Sequence, residues 1–350
     1  MKKFWLASSV VLGIAVFAAL GLAQPASTEG PYKIVKTAKV GGDGGFDYVF
    51  ADVVGRRLYV PRRTEETGRI TVFDLDTLEP KGEVDNAAGH GVVVDPKTHH
   101  GFLTSKPVTM FDTNTLKVIK TIDVQGNPDG IFYDAANQRV YDLSHSAPNV
   151  TVISSKDGSI VGTIDLGGAP EQATTDGKGH VYIDVEDKGK IAVVDAKTLK
   201  VTAQYDLEGK GGTCAGLAMD VKNHILFSTC RNPQTMVVVN ANNGSVITTL
   251  PIGAASDGAL FNPATMEAFS SNSDGTLSII KENSPTSFVV EQDLKTMPSA
   301  KTSTLDRKTN HVLLIAAEFE PPPAGTKLGN GRIARGPMVP GSFSILVVGK

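Results

Sequence analysis

The sequence is poor in the residues on which several classes of protein depend. Its 350 residues include one tryptophan and two cysteines, and 6% are aromatic. The tryptophan, Trp5, lies in the first 23 residues, and the two cysteines are too far apart for haem attachment. These features disfavour a redox enzyme built on a quinone or a haem. The net charge of −3 argues against a surface that binds nucleic acid or anionic lipid.

Motifs for phosphate binding and acyl transfer are also missing. Residues 41–45 (Gly-Gly-Asp-Gly-Gly) precede a predicted strand rather than a helix, so they lack the setting of a nucleotide-binding loop. No Gly-x-Ser-x-Gly segment is present that would form a nucleophile elbow. After residue 23 no segment keeps a helical period over three turns, which disfavours a helical fold.

The N-terminal segment, residues 1–23, has the features of a secretory signal peptide. Lys2 and Lys3 precede an apolar run over residues 10–22, and small residues occupy the predicted cleavage site at residues 21–23. An uncleaved anchor is the alternative, because residues 4–23 are long enough to cross a bilayer. We predict cleavage and export to the periplasm or the extracellular space.

A repeat of about 42 residues fills the rest of the chain. In each copy a turn residue is followed seven positions later, or six in one copy, by an apolar or aromatic residue that begins a strand. Successive copies are 39–44 residues apart. The seven pairs are Asp52/Tyr59, Asp95/Phe102, Asp134/Tyr141, Asp176/Tyr182, Asp220/Phe227, Asn262/Phe269 and Asp306/Leu313.

Each copy contains four short segments rich in Val, Ile, Thr and Tyr, separated by turns with Asp, Asn and Gly. Four strands in about 42 residues is typical of a β-propeller blade. We therefore predict an all-β, seven-bladed β-propeller with four antiparallel strands per blade. It spans residues 32–350, after an N-terminal tail of residues 24–31.

The two ends of the repeat region each supply strands for the same blade. After Asp306 the last copy has strands at residues 311–316 and 343–348, which leaves its blade one strand short. Residues 32–40 precede the first copy and have the pattern of a fourth strand. We predict that this N-terminal strand closes the last blade, which removes exposed sheet edges.

Short motifs recur within the repeats. They include residues 58–60 (Leu-Tyr-Val), 124–130 (Val-Gln-Gly-Asn-Pro-Asp-Gly), 191–195 (Ile-Ala-Val-Val-Asp) and 198–201 (Thr-Leu-Lys-Val). These segments resemble the repeats of the YVTN-repeat β-propellers of secreted and surface bacterial proteins. The resemblance is degenerate, covers about residues 32–350 and implies a seven-bladed fold. It implies no single activity, because propellers of this type include binding, surface and lactonase-like members.

One set of equivalent positions is rich in charge. The start of the first strand and the loop between the second and third strands share one face of a propeller. Positions five residues before each marker are equivalent, and their side chains point the same way if the blades are equivalent. Six of the seven are ionisable; the set is Asp47, His90, Asp129, Glu171, Ala215, Asp257 and Lys301.

We expect these side chains to form a ring at one mouth of the axial channel. Two carboxylates about 8 Å apart repel by about 2 kcal/mol at an effective dielectric constant of about 20. Either Lys301, His90 and water neutralise the ring, or it binds a cation or a small polar ligand. A Ca²⁺ ion would suit carboxylates, whereas His90 with Asp129 and Glu171, together with Asp47, would suit a transition metal. The cofactor stays unknown, with a divalent cation as one option.

Loops between the second and third strands surround the same mouth, and their default interpretation is a solvated charged rim. Within this rim we name Arg62, His145 and Arg231 as site candidates. The other rim residues are Arg63, Glu65, Glu66, Lys106, Glu186, Asp187 and Lys188. The remaining histidines fall in turns on the opposite face and are expected to be solvated: His99, His100, His180, His224 and His311.

The last blade carries a long insertion at residues 317–342. It contains three consecutive prolines, followed by Lys327, Arg332 and Arg335. Loops of this length inside a compact domain are usually functional or disordered. The strand order places it over the same face, as a lid or partner-docking segment or as a mobile insertion.

The two cysteines are predicted to form a disulfide. Cys214 and Cys230 lie at equal distances along the chain from the centre of a hairpin turn at residues 220–224. They would therefore face each other across paired strands, and an oxidising compartment allows the bond. A disulfide there contributes about 3 kcal/mol in the loop-entropy description.

The sequence favours a monomeric binding or scaffold module for a small polar ligand, a cation or a protein partner at the channel mouth. The alternative is a metal-dependent, lactonase-like hydrolase. In that case an axial metal would polarise a lactone carbonyl and activate water. His90 or a carboxylate would act as the base.

Overall fold

The structure is a computed structural model that describes Met1 and residues 29–64, 67–326, 329 and 331–350. The predicted leader apart from Met1, most of the N-terminal tail, and Glu65, Glu66 and Lys327 lie outside the described residues. Within the described part of the chain, no helix has the length and apolar character needed to cross a membrane.

The described residues form seven four-stranded antiparallel sheets, which confirms the predicted all-β, seven-bladed propeller. Blade one contains β2 (Phe50–Asp52), β3 (Arg57–Arg63), β4 (Gly68–Asp74) and β5 (Pro80–Asp85). Blade two contains β6 (Val92–Asp95), β7 (His100–Leu103), β8 (Val108–Asp112) and β9 (Lys117–Ile122). Blade three contains β10 (Pro128–Asp134), β11 (Arg139–Ser144), β12 (Val150–Ser154) and β13 (Ile160–Ile164). Blade four contains β14 (Pro170–Thr175), β15 (His180–Val185), β16 (Lys190–Asp195) and β17 (Lys200–Asp206).

The remaining blades follow the same order. Blade five contains β18 (Cys214–Asp220), β19 (Ile225–Arg231), β20 (Gln234–Asn240) and β21 (Val246–Pro251). Blade six contains β22 (Ser256–Asn262), β23 (Glu267–Asn272), β24 (Thr276–Ser284) and β25 (Ser287–Lys295). Blade seven contains β26 (Ser303–Asp306), β27 (His311–Ala316), β28 (Ser344–Gly349) and the N-terminal strand β1 (Lys33–Lys39).

The N-terminal strand closes the ring, as predicted. β1 pairs antiparallel with β28, with Ala38 opposite Ile345. Just before β1, the buried side chain of Tyr32 donates a hydrogen bond to Glu267 and packs edge-on against Phe269, with ring centres 5.5 Å apart. The segment that begins the propeller is therefore anchored in blade six as well as blade seven.

The repeat marker is a turn residue. Oδ1 of Asp134 accepts a hydrogen bond from the backbone N–H of Ala136, and Oδ1 of Asp220 accepts one from Lys222. The turn then ends on a residue with positive φ, such as His224 at 56°. Short polar side chains stabilise such turns by bonding the backbone two residues on. This local requirement explains why Asp or Asn recurs in every blade.

Alternate side chains of the middle strands enter different cores between neighbouring blades. In β12, Val152 packs between blades three and four, whereas Ile153 packs against blade two. Both are buried, and a buried aliphatic side chain contributes about 1.5–3 kcal/mol. Both faces of these strands are covered, so their sequences are nearly continuously apolar.

The predicted cysteine pair is present. Cys214 on β18 lies opposite Cys230 on β19, and the two sulfur atoms form a disulfide. The bond ties the start of the innermost strand of blade five to its neighbour, close to the channel mouth.

Candidate functional site

The axial channel opens at one mouth into a cavity of about 350 Å³. Its lining residues come from the first strands, from the loops between second and third strands, and from the insertion. All six ionisable positions of the predicted ring line this cavity: Asp47, His90, Asp129, Glu171, Asp257 and Lys301. The seventh, Ala215, is fully buried.

Two basic side chains hold one half of the ring together. Lys301 Nζ lies 2.8 Å from Oδ1 of Asp47 and also pairs with Asp257. Arg231 pairs with Asp257 and Glu186, and its Nη2 lies 3.5 Å from Oε1 of Glu171. Its guanidinium is buried, so Arg231 belongs to the ring rather than to a solvated rim. It supplies the charge that Ala215 lacks in the same blade.

His90 and His145 hold the other half of the ring together. His90 Nδ1 lies 2.9 Å from Oδ2 of Asp47 and 2.9 Å from Oδ1 of Asp129. His145 Nε2 lies 2.8 Å from Oε2 of Glu171 and 3.2 Å from Oδ2 of Asp129. Asp129 thus directs one oxygen to each histidine.

These contacts define two overlapping donor sets, Asp47–His90–Asp129 and Asp129–His145–Glu171. Within each set, one ligand atom from every residue lies within 4.8 Å of the others, which would allow a metal ion between them. The sequence grouped His90 with Asp129 and Glu171, together with Asp47, as possible metal ligands. The structure places His90 beside Asp47 and Asp129, and it places His145 beside Asp129 and Glu171.

The protonation of the ring follows from burial and these contacts. Burial opposes the charge on His90, but its hydrogen bonds to Asp129 and Asp47 raise its pKa to about 9. The hydrogen bond to Glu171 raises the pKa of His145. Burial raises the pKa of Glu171 to about 7. Burial also opposes the charge on Asp47, but Lys301 outweighs it and holds the pKa of that carboxyl well below its usual range.

Arg63 makes the remaining contact of His90, from Nη1 to Nε2. This contact favours a neutral His90 whose proton lies on Nδ1, whereas the two carboxylates favour the cationic form. The carboxylates decide the balance, because the exposed guanidinium of Arg63 is screened by water and salt. At neutral pH the two carboxylates therefore favour a cationic His90, and the basic groups of the ring offset charge on its carboxylates.

Arg62 does not line the cavity, although the sequence placed it on the rim. Its buried guanidinium donates to the carbonyl oxygens of Gly42 and Gly44, and it lies 3.7 Å from the ring centre of Phe343. Successive residues of β3 point to opposite faces, so Arg63 reaches the cavity and Arg62 packs between blades. Its role is structural.

The other described rim residues are placed by their own contacts. Glu186 is buried against Arg231, whereas Asp187 and Lys188 form an exposed pair at 2.9 Å. Lys106 Nζ donates to the carbonyl oxygen of Gly126. The five other histidines lie at the ends of turns on the opposite face, where His100, His180 and His311 each begin a strand. His180, for example, contacts Asp176 at 2.7 Å.

The insertion lies over the same face and forms one wall of the cavity. At its base Phe319 pairs with Met338, and Glu320 receives a hydrogen bond from Gly336. Its far end approaches the ring, where Gly331 packs against the backbone of Arg231. Arg332, Ile333 and Arg335 line the cavity.

The floor of the cavity is a feature that sequence reasoning missed. Tyr48 and Glu171 line both this cavity and a second one of about 440 Å³ deeper in the channel. Four blades have glycine directly after the ring position, and a Cβ at Gly130 would lie 2.4 Å from the carbonyl oxygen of Glu171. Tyr48, Gln172 and Thr302 break this glycine pattern, and the side chains of Tyr48 and Gln172 line the channel. That break was visible in the sequence.

No family model and no curated protein matches this chain. Solved structures match its fold. A chain in the crystal structure of the mitotic checkpoint complex is similar with a TM-score of 0.69 and 10% sequence identity, covering 90% of this chain and 96% of that chain. The structure of U3-55K is similar with the same TM-score and identity, covering 90% of this chain and 98% of that chain. At this identity the likeness concerns the propeller fold alone.

Proposed function

We propose that this protein is an exported binding module that holds a divalent transition-metal ion at the axial mouth of a YVTN-type propeller. The observation that carries the proposal is the pair of donor sets that share Asp129. Each set combines an imidazole nitrogen with carboxylate oxygens from separate blades. This mixture suits Zn²⁺ and similar metals better than Ca²⁺, which prefers oxygen alone.

The distances in the ring are compatible with this assignment. Zinc binds nitrogen and carboxylate oxygen at about 2.0–2.2 Å in a tetrahedral arrangement, so two neighbouring ligand atoms on one ion are roughly 3.4 Å apart. The four histidine–carboxylate separations are 2.8–3.2 Å, so the side chains need to move apart only slightly to admit an ion. A metal would replace the proton that a cationic histidine carries, because only neutral imidazole coordinates metal. Binding should therefore release protons.

Export and family membership belong to the same proposal. The disulfide between Cys214 and Cys230 is compatible with an oxidising compartment. The basic and apolar features of residues 1–23 support secretion. The degenerate repeat motifs support a distant place among the YVTN-repeat propellers.

The hydrolase alternative depends on the same metal. A lactonase-like reaction would need an ion with one coordination position open to water or substrate. Metal analysis therefore decides first whether that alternative can stand.

The test is metal analysis and Zn²⁺ calorimetry on purified, tag-free protein lacking residues 1–23. We expect stoichiometric binding that Asp129→Asn weakens at least tenfold, since this residue belongs to both donor sets. His145→Gln should also weaken binding. The matched control is His180→Gln, which alters a histidine–aspartate pair on the opposite face and should bind Zn²⁺ like the wild type.

The proposal fails if the wild-type protein holds no stoichiometric metal, or if Asp129→Asn binds as tightly as the wild type. Thermal unfolding of every variant checks that the propeller is intact. Proton release on binding, measured in buffers of different ionisation enthalpy, separates coordination by His90 and His145 from loose association with carboxylates.

A further inference from the structure

Lysine and arginine side chains outnumber carboxylates among the residues that line the cavity. Each carboxylate of the ring already contacts a basic group of the chain: Asp47 and Asp257 contact Lys301, Glu171 contacts His145, and Asp129 contacts both histidines. Three further guanidinium groups line the cavity, those of Arg63, Arg332 and Arg335. Among the described residues none of the three forms an ion pair with a carboxylate.

Arg335 shows the imbalance most clearly. It is half-buried beside the ring of Phe319, with its guanidinium carbon 5.2 Å from the ring centre. Among the described residues, its guanidinium makes one hydrogen bond, which it donates to the carbonyl oxygen of Ser273 at 3.4 Å. Burial lowers the pKa of Arg335. Removing a charged group from water is unfavourable unless the group is paired, so this position favours an anion beside it.

Arg332 and Arg63 complete a positive mouth above the ring. Both are exposed. Within the described part of the chain, the side chain of Arg332 has no hydrogen-bond partner, and that of Arg63 contacts only His90. Arg332 follows Gly331, which packs on the backbone of Arg231, so the insertion presents this arginine directly over the ring.

We infer that the cavity mouth is a subsite for a small oxyanion, a carboxylate or a phosphate group held by Arg335 and Arg332, with Arg63 as a further cation in the lining of the same cavity. Guanidinium groups bind such anions through two parallel hydrogen bonds. A volume of about 350 Å³ is near the lower limit of ligand pockets, so the ligand is small. The inference adds a ligand class to the proposed metal site and shares its cavity, but its charge argument holds without the metal.

The experiment is calorimetric titration of the metal-free protein with succinate, with inorganic phosphate, and with succinamide, the neutral analogue of succinate. The succinate titration is repeated on Zn²⁺-loaded protein. We expect at least one anion to bind, succinamide not to bind, and the affinity to fall as salt is raised. Combining Arg332→Gln with Arg335→Gln should weaken anion binding at least tenfold.

Two further variants test the geometry. Arg335→Lys keeps the charge but loses the two-pronged donor, and it should bind more weakly than the wild type and more tightly than Arg335→Gln. Arg307→Gln is the matched control, because Arg307 is an exposed arginine that lines the deeper channel cavity. It should bind the anion like the wild type.

The outcomes separate this inference from the metal proposal. Anion binding without Zn²⁺ binding supports the subsite and overturns the metal site. If the protein binds Zn²⁺ but binds neither anion, whether it is metal-free or Zn²⁺-loaded, the subsite is wrong and the metal site stands. Equal anion affinity in the wild type and the double variant also overturns the subsite.

Discussion

A single buried carboxyl group should set part of the pH dependence of stability. Asp142 on β11 has no exposed surface, and in the described structure neither of its carboxyl oxygens has a hydrogen-bond partner. Burial raises its pKa to about 8, against about 3.9 in an unfolded chain. The folded chain therefore holds this proton more tightly than the unfolded chain, and Asp142 makes stability fall as pH rises from about 4 to about 8.

We predict that the stability of the Asp142→Asn variant falls less with rising pH than that of the wild type. Urea unfolding at pH 5 and pH 9 should show the variant gaining stability relative to the wild type at pH 9, by at least about 1.4 kcal/mol, the equivalent of one pKa unit. Val140→Ala, which shortens a buried side chain of the same strand, should lower stability equally at both pH values. Equal pH dependence in Asp142→Asn and the wild type would contradict the prediction.

Two arginines show what the sequence could and could not predict at this scale. The sequence placed both Arg62 and Arg231 on the rim. Arg231 enters the ring and Arg62 packs on Phe343. The repeat register contains the difference: Arg62 follows its marker by 10 residues and Arg231 follows its own by 11, and adjacent residues of a strand point to opposite faces. A second signal was available, since only blade five lacks an ionisable ring residue.

At the scale of single elements, the disulfide should stabilise the hairpin of β18 and β19. The bond encloses a loop with a sequence separation of 16 residues. Loops of this size correspond to about 2–4 kcal/mol. Combining Cys214→Ala with Cys230→Ala should lower the free energy of unfolding by that amount in urea titrations. Wild-type protein unfolded in reductant should have the same free energy of unfolding as the double variant. If the double variant and the oxidised wild type differ by less than about 1 kcal/mol, the prediction is wrong.

The strands were predictable because each is specified locally. The sequence predicted a strand at residues 311–316, for example, and β27 spans His311–Ala316. The course of the insertion at residues 317–342 was not predictable beyond its face. Its path depends on contacts with distant residues, such as that of Gly331 with Arg231 and that of Arg335 with Ser273.

At the scale of the whole molecule, pseudo-sevenfold repetition explains why the ring positions could be found from sequence. Equivalent residues of seven similar blades must surround one axis, whatever their identity. The charge balance could not be found in the same way. It depends on which long side chain reaches which neighbour, as when Lys301 bridges Asp47 and Asp257 between blades.

The N-terminal strand β1 completes blade seven and also covers an apolar sheet edge. Without β1, the outer edge of the sheet would be β28, where Ile345, Leu346 and Val347 are buried in the intact molecule. β1 replaces this apolar edge with one whose exposed side chains include Lys33, Lys36 and Lys39. Lysines on an edge strand oppose pairing with a second molecule.

Deleting residues 24–39 should therefore cause self-association as well as a loss of stability. We expect size-exclusion chromatography to show oligomers and the melting temperature to fall, because β28 loses its hydrogen-bonded partner. Tyr32→Ala is the matched comparison, since it removes the buried anchor against Phe269 but leaves the paired strand in place. That variant should melt earlier yet elute like the wild type. If the deleted protein also elutes and melts like the wild type, β1 neither protects the edge nor closes the ring in solution.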